Sequence, residues 1–148
     1  MKSEETIDFQ IKRTWQSIAK MYNEEAAGYG ATMATGFVLL NIDSEEGTPS
    51  TALGPKMGME ATSMSRILKS MEEKDLISRK PNPADGRSVL IRLTPFGIEK
   101  RKDAKHAVIN FNNSVFSRFE KAEISTFFKV IEGINTMIVD HKLETEKL

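Results

Sequence analysis

The chain has 148 residues, 39% of them hydrophobic and 28% charged, with a formal net charge of zero and no cysteine. These values describe one globular domain and argue against disorder. The absence of cysteine excludes disulfides, thiolate metal sites and thiol-based redox switching.

The zero charge conceals an uneven distribution. Residues 1–48 carry four Lys/Arg against eight Asp/Glu, whereas residues 66–105 carry eleven against six, a local excess of +5. One basic segment on an otherwise acidic chain is the footprint expected where a single face meets phosphate. A solvated charged surface would give the same count, so the segment needs support from motifs. The acidic start, Met1-Lys2-Ser3-Glu4-Glu5, is not a secretory signal, and no apolar run reaches the roughly 18 residues of a membrane span. The expected location is cytoplasmic.

In chain order, Ile7, Ile11, Trp15, Ile18 and Tyr22 fall on one helical face within residues 5–27, which Gly28 and Gly30 close. Met33 to Ile42 reads as a short buried helix, followed by the polar turn 43–47. Thr48-Pro49 has the form of an N-cap with proline at the first helical position, predicting a third helix to about Met57. Gly58 permits a sharp turn into a fourth helix, about Glu60 to Lys74. Here Met64, Ile67, Leu68 and Met71 form the apolar face, while Thr62, Ser63, Ser65, Arg66 and Lys69 lie on or beside the opposite one. Two short helices about a glycine turn, the second with small polar and basic groups outward, form a helix-turn-helix pattern.

Ile77–Lys80 and Ser88–Leu93 are strand-like and flank the turn Pro81-Asn82-Pro83-Ala84-Asp85-Gly86, predicting a β-hairpin. Thr94-Pro95 starts another helix, and the tract from Ile98 to Leu143 is helix-compatible with a bend expected near 118–121. Its later half carries the stripe Ile124, Phe127, Phe128, Ile131, Ile134, Ile138.

A helix-turn-helix followed at once by a hairpin is a winged helix. The string MEEKDLISRKPNPADGRSVLIRLTPFG, residues 71–97, resembles the signature of the MarR family of bacterial transcription regulators. Asp85 and Arg87 match the family's Asp-x-Arg wing tip, and Leu93, Thr94 and Gly97 its Leu-Thr-x-x-Gly close. Three positions depart from the pattern. Asp75 replaces a glycine and is expected in a left-handed conformation. Gly86 stands where a basic residue is common, and Gly54-Pro55 is expected to loosen the third helix.

The resulting expectation is a mainly α fold with a small β-hairpin wing (α+β): a winged helix-turn-helix at 32–97 flanked by dimerisation helices at 1–31 and 98–148. The expected function is sequence-specific binding of a pseudo-palindromic operator by a homodimer. Arg66 suits guanine in the major groove, Thr62, Ser63 and Ser65 suit bases or phosphates, and Lys69 suits the backbone. Arg87 would enter the minor groove, its guanidinium held by Asp85. The competing readings are a solvated helix arginine for Arg66 and a plain turn residue for Asp85. Arg79, Lys80 and Arg92 are assigned phosphate contacts at most.

Ile7, Ile11, Phe111, Val115, Ile131, Ile134 and Ile138 are the candidate dimer contacts. The resemblance further implies a ligand-responsive repressor with a small aromatic or amphipathic effector between dimer helices and winged domain. Trp15, Met21, Tyr22 and Phe37 are candidates to line that pocket, although such residues also serve as ordinary core. No cofactor or metal is expected: His106 and His141 lack metal-ligand spacing and read as surface residues. Phosphate loops, nucleophile elbows and acid–base pairs are missing from the sequence, which argues against an enzyme. The rival function is a winged helix used as a protein–protein scaffold.

Overall fold

In the computed structural model, which describes residues 1–145 (side chains through 141), a 3₁₀ turn at Ser3–Glu5 leads into α1, Ile7–Ala27. Next come α2 (Met33–Asn41), β1 (Thr48–Pro49), α3 (Ser50–Met57), α4 (Ala61–Glu73), β2 (Ile77–Pro81) and β3 (Val89–Leu93). Two long helices follow: α5 (Pro95–Arg118) and α6 (Lys121–Thr145). The break between them falls where the sequence places the bend. The chain divides into two compact units, Met1–Ala107 and the remainder from Val108.

The first unit is built on a core of Val38, Leu39, Ile42, Leu53, Met64, Leu68, Met71, Leu76, Ile77 and Ile91. Every element from α2 to β3 except the short β1 thus contributes to one apolar centre. Thr32 caps α2, its hydroxyl accepting from the Thr35 amide at 3.2 Å. Asp43 closes the following turn by accepting the amides of Glu45 and Glu46 at 2.9 and 2.8 Å. Those two bonds hold its carboxyl below the ordinary carboxylate range, the Glu46 amide first.

The sheet corrects one expectation. Thr48 is not a helix cap: it lies in a third strand, paired antiparallel with Ile91, giving the order β1-β3-β2. Its hydroxyl accepts the Asp43 amide at 2.9 Å, and the residue is buried, so the preceding turn takes the oxygen a cap would have used. Pro49 stands at the cap position instead, with helix starting at Ser50. As an edge residue, Pro49 loses no ladder bond that the sheet needs. The hairpin itself agrees with the reading, with Ile77 opposite Leu93 and Pro81 opposite Val89.

In the second unit, Ile124, Ile131 and Ile134 of α6 are half-buried along one stripe, whereas Phe127, Phe128, Val130, Met137 and Ile138 stand exposed on either side of it. Phe127 and Phe128 meet edge to face with centroids 5.6 Å apart. No described helix is long and apolar enough to cross a membrane.

Candidate nucleic-acid interface

The turn between α3 and α4 is set by Gly58, at φ +61°, and by the Met59 amide donating to the Gly54 carbonyl at 2.9 Å. Gly54 suits this turn because an added Cβ would lie only 3.0 Å from the Met59 carbonyl. Pro55 removes one helical N–H, yet α3 continues through it to Met57. Asp75 adopts the left-handed conformation at φ +58°, ending α4 so that Leu76 and Ile77 turn into the core.

Met64, Leu68 and Met71 of α4 are buried, with Ile67 packed beside them. Thr62, Ser63, Ser65, Arg66 and Lys69 are all exposed, as the periodicity predicts. The structure therefore brings these five side chains onto the solvent side of one helix. Arg66 takes part in no ion pair among the described residues, so its guanidinium donors are unspent.

The wing tip is a nest of short side-chain-to-backbone bonds. Asn82 accepts from the Ala84 amide at 3.0 Å, and its own amide group donates to the Ser88 hydroxyl at 2.8 Å. Asp85 Oδ1 accepts from the backbone N–H of Arg87 at 2.9 Å. This corrects the expected pairing: Asp85 holds the Arg87 main chain, and the guanidinium projects exposed and unpaired. A two-residue Asx turn is the closest geometry open to a short carboxylate, whereas reaching a guanidinium would require the long side chain to fold back.

Other cations of the basic segment are engaged. Arg79 pairs with Glu72 at 3.4 Å, bridging β2 to α4. The Arg92 guanidinium donates to the Glu45 carbonyl at 2.6 Å, tying β3 to the loop before β1. Arg101 donates to the Leu39 carbonyl at 3.2 Å. Sequence counts these as free positive charge, because carbonyl partners distant in the chain leave no local trace.

Two cavities flank α4. One of about 580 Å³ runs between α3, α4 and β2, lined by Ser50, Gly54, Met59, Ser65, Leu68 and Arg79 among others. The other, about 320 Å³, opens where α2 meets the opposite side of α4 and is lined by Thr32, Thr35, Ser63, Arg66, Ile67, Ser70 and Lys74. Thr32, Ser70 and Lys74 are additions that the helical periodicity of α4 alone did not suggest.

The remaining candidates are distributed as follows. Tyr22 is buried and meets Phe37 edge to face, centroids 5.8 Å apart. Burial raises the Tyr22 phenol above its usual range, with Glu25 adding to the effect. Met21 is half-buried and Trp15 is exposed. Ile7, Ile11 and Ile138 are exposed, while Phe111, Val115, Ile131 and Ile134 are half-buried. Among the described residues no cluster of three His, Asp or Glu is placed to hold a metal.

A helix-turn-helix with its second helix exposed, followed by a stapled two-stranded wing, defines a winged helix-turn-helix protein. Residues 31–89 match the family model described as MarR family. The chain is 27% identical over 111 residues to the HTH-type transcriptional regulator SarZ of Staphylococcus epidermidis, covering 75% of this chain and 72% of that one. Among solved structures it is similar to the Staphylococcus aureus MepR–DNA complex, with a TM-score of 0.83 at 16% identity, covering 89% and 98% of the two chains. It is also similar to CouR from Rhodococcus jostii RHA1 bound to p-coumaroyl-CoA, with a TM-score of 0.76 at 20% identity and coverage of 90% and 94%. The matching region runs from just before α2 to the start of β3, and over it the chain is similar to the MarR family.

Proposed function

We propose that this protein is a ligand-responsive transcriptional regulator that binds a pseudo-palindromic operator as a homodimer, α4 in the major groove and the wing in the minor groove. The observation that carries the reading is the pair of unspent guanidinium groups, Arg66 on the outer face of α4 and Arg87 at the wing tip. Around Arg66 the surface is made of Thr62, Ser63 and Ser65, small enough for a helix to enter a groove about 12 Å wide. Lys69, further along, meets the phosphate backbone. Asp85 acts by fixing the wing turn from which Arg87 projects.

Dimerisation rests on the exposed apolar flanks of α6 and on Ile7 and Ile11 of α1, surfaces that water alone would leave uncovered at high cost. Residues 32–97 then serve as the DNA-binding region and the flanking helices as the dimer. The structure of MepR with DNA and that of CouR with an acyl-CoA support operator binding and effector response by analogy. Action in the cytoplasm, where chromosomal operators lie, follows from this role, which is binding rather than catalysis.

The test is selection of bound duplexes from a random pool, then affinity measurements across a salt series. A DNA reader loses affinity with a log–log slope of about −0.9 per phosphate contact. Arg87→Ala lowers affinity, and Arg66→Ala both lowers it and relaxes base preference at one position, each by about 1–3 kcal/mol. Absence of duplex binding at low salt, with protein–protein capture intact, would favour the scaffold role instead.

A further inference from the structure

We infer that the cavity between α2 and α4 seats a backbone phosphate of the bound duplex, with Lys74 as a second cation beside Arg66. This rests on the DNA-binding reading above. The carrying observation is the chemistry of the lining: Thr32, Ser63, Arg66, Ser70 and Lys74 contribute hydroxyl and cationic groups, Ile67 is apolar, and no carboxylate lines the space.

Acids are close in the chain, which gives the arrangement its force. Glu72, Glu73 and Asp75 surround Lys74 in sequence, yet Glu72 turns to Arg79 on the other side of α4 and none of the three lines the cavity. Lys74 and Arg66 take part in no ion pair among the described residues. Two cations lining one hydroxyl-walled hollow, with no carboxylate in its lining, form a site for an oxyanion.

The duplex is the source of that oxyanion because the cavity adjoins the helix assigned to the groove. Ser63 and Arg66 belong to both the reading face and the cavity wall. A phosphodiester strand bordering the major groove therefore passes the cavity mouth when α4 is seated, and contacts there fix register without reading sequence. The other role open to Lys74 is structural, a cation at the C-terminal end of α4 that offsets its dipole.

The experiment uses the full chain and a duplex obtained by selection. Affinity is measured across a salt series for the parent, Lys74→Met and Lys74→Arg, and on duplexes carrying one neutral methylphosphonate linkage at successive positions. Seating of a phosphate predicts a slope shallower by about 0.9 for Lys74→Met, restored by Lys74→Arg. It also predicts one linkage whose neutralisation weakens the parent but not Lys74→Met. An unchanged slope and no such linkage, with Lys74→Met merely melting earlier, would assign the lysine to the helix dipole and overturn the proposal. Saturable binding of inorganic phosphate at constant ionic strength, again with no sensitive linkage, would give the cavity to a free anion and overturn it equally. Failure of the parent to bind any duplex would instead remove the underlying functional reading.

Discussion

The hydroxyl of Thr94 donates to the backbone carbonyl of Asp75 at 2.6 Å and, through the same oxygen, accepts the amide of Gly97 at 2.9 Å. One side chain thus ties the exit of α4 to the start of α5 and spans the base of the wing. Gly97 is required here because an added Cβ would run into the Leu76 carbonyl. The Leu93-Thr94-x-x-Gly97 motif is a physical clamp on the reading head. Thr94→Val should cost about 1–2 kcal/mol of stability, Thr94→Ser much less. Gly97→Ala should cost roughly 3 kcal/mol, since backbone and not a flexible side chain must yield. Urea denaturation of the three variants measures the ordering.

Asp85 offers a sharper test of wing chemistry. Because its Oδ1 accepts from the Arg87 main-chain N–H, an asparagine oxygen can replace it. Asp85→Asn should therefore keep most operator affinity, while Asp85→Ala loosens the tip and lowers affinity several-fold. Were the carboxylate holding the Arg87 guanidinium, both variants would lose affinity alike. Competition binding at fixed salt separates the two outcomes.

Gly86 sits in open space, with no atom within 4 Å of an added Cβ and no left-handed φ. A side chain is accommodated there without strain. Gly86→Lys should raise DNA affinity and steepen the salt slope by about 0.9, one added phosphate contact, with stability to urea changed by no more than a few tenths of a kcal/mol.

Asp75 pays a backbone cost at φ +58° that glycine avoids. Asp75→Gly should stabilise the fold by about 0.5–1 kcal/mol, part of the left-handed penalty being returned as added freedom of the unfolded chain. Thermal unfolding monitored by circular dichroism reads this directly, and a fall in stability would show that the Asp side chain supports the turn.

The Asp43 turn carries a pH dependence whose sign is fixed. Its carboxyl titrates below the ordinary value of 3.8 in the folded chain because the Glu46 and Glu45 amides stabilise the anion. The stabilisation is complete above that ordinary value and is lost as pH falls through the lower folded value. Urea midpoints measured from pH 6 down to pH 2.5 should show a drop at the acid end that Asp43→Asn flattens. An unaltered profile in the variant would remove Asp43 as its cause.

By itself the sequence determined the elements and most of the reading face. Helical periodicity is a local property, so the stripe Met64–Leu68–Met71 also told which side chains of α4 face water, Arg66 and Thr62 included. Turn chemistry is local as well, and the wing between Pro81 and Ser88 was legible from Asn82, Asp85 and Gly86. What the tertiary structure alone decided were pairings between residues far apart in the chain. Thr48 looks like a cap until Ile91 pairs with it, Arg92 looks free until the Glu45 carbonyl meets it, and Lys74 looks like a helix-end lysine until α2 walls a cavity beside it. A backbone carbonyl or a strand edge is chemically the same at every position, so no residue type announces such a partner. Only folding brings it within bonding distance.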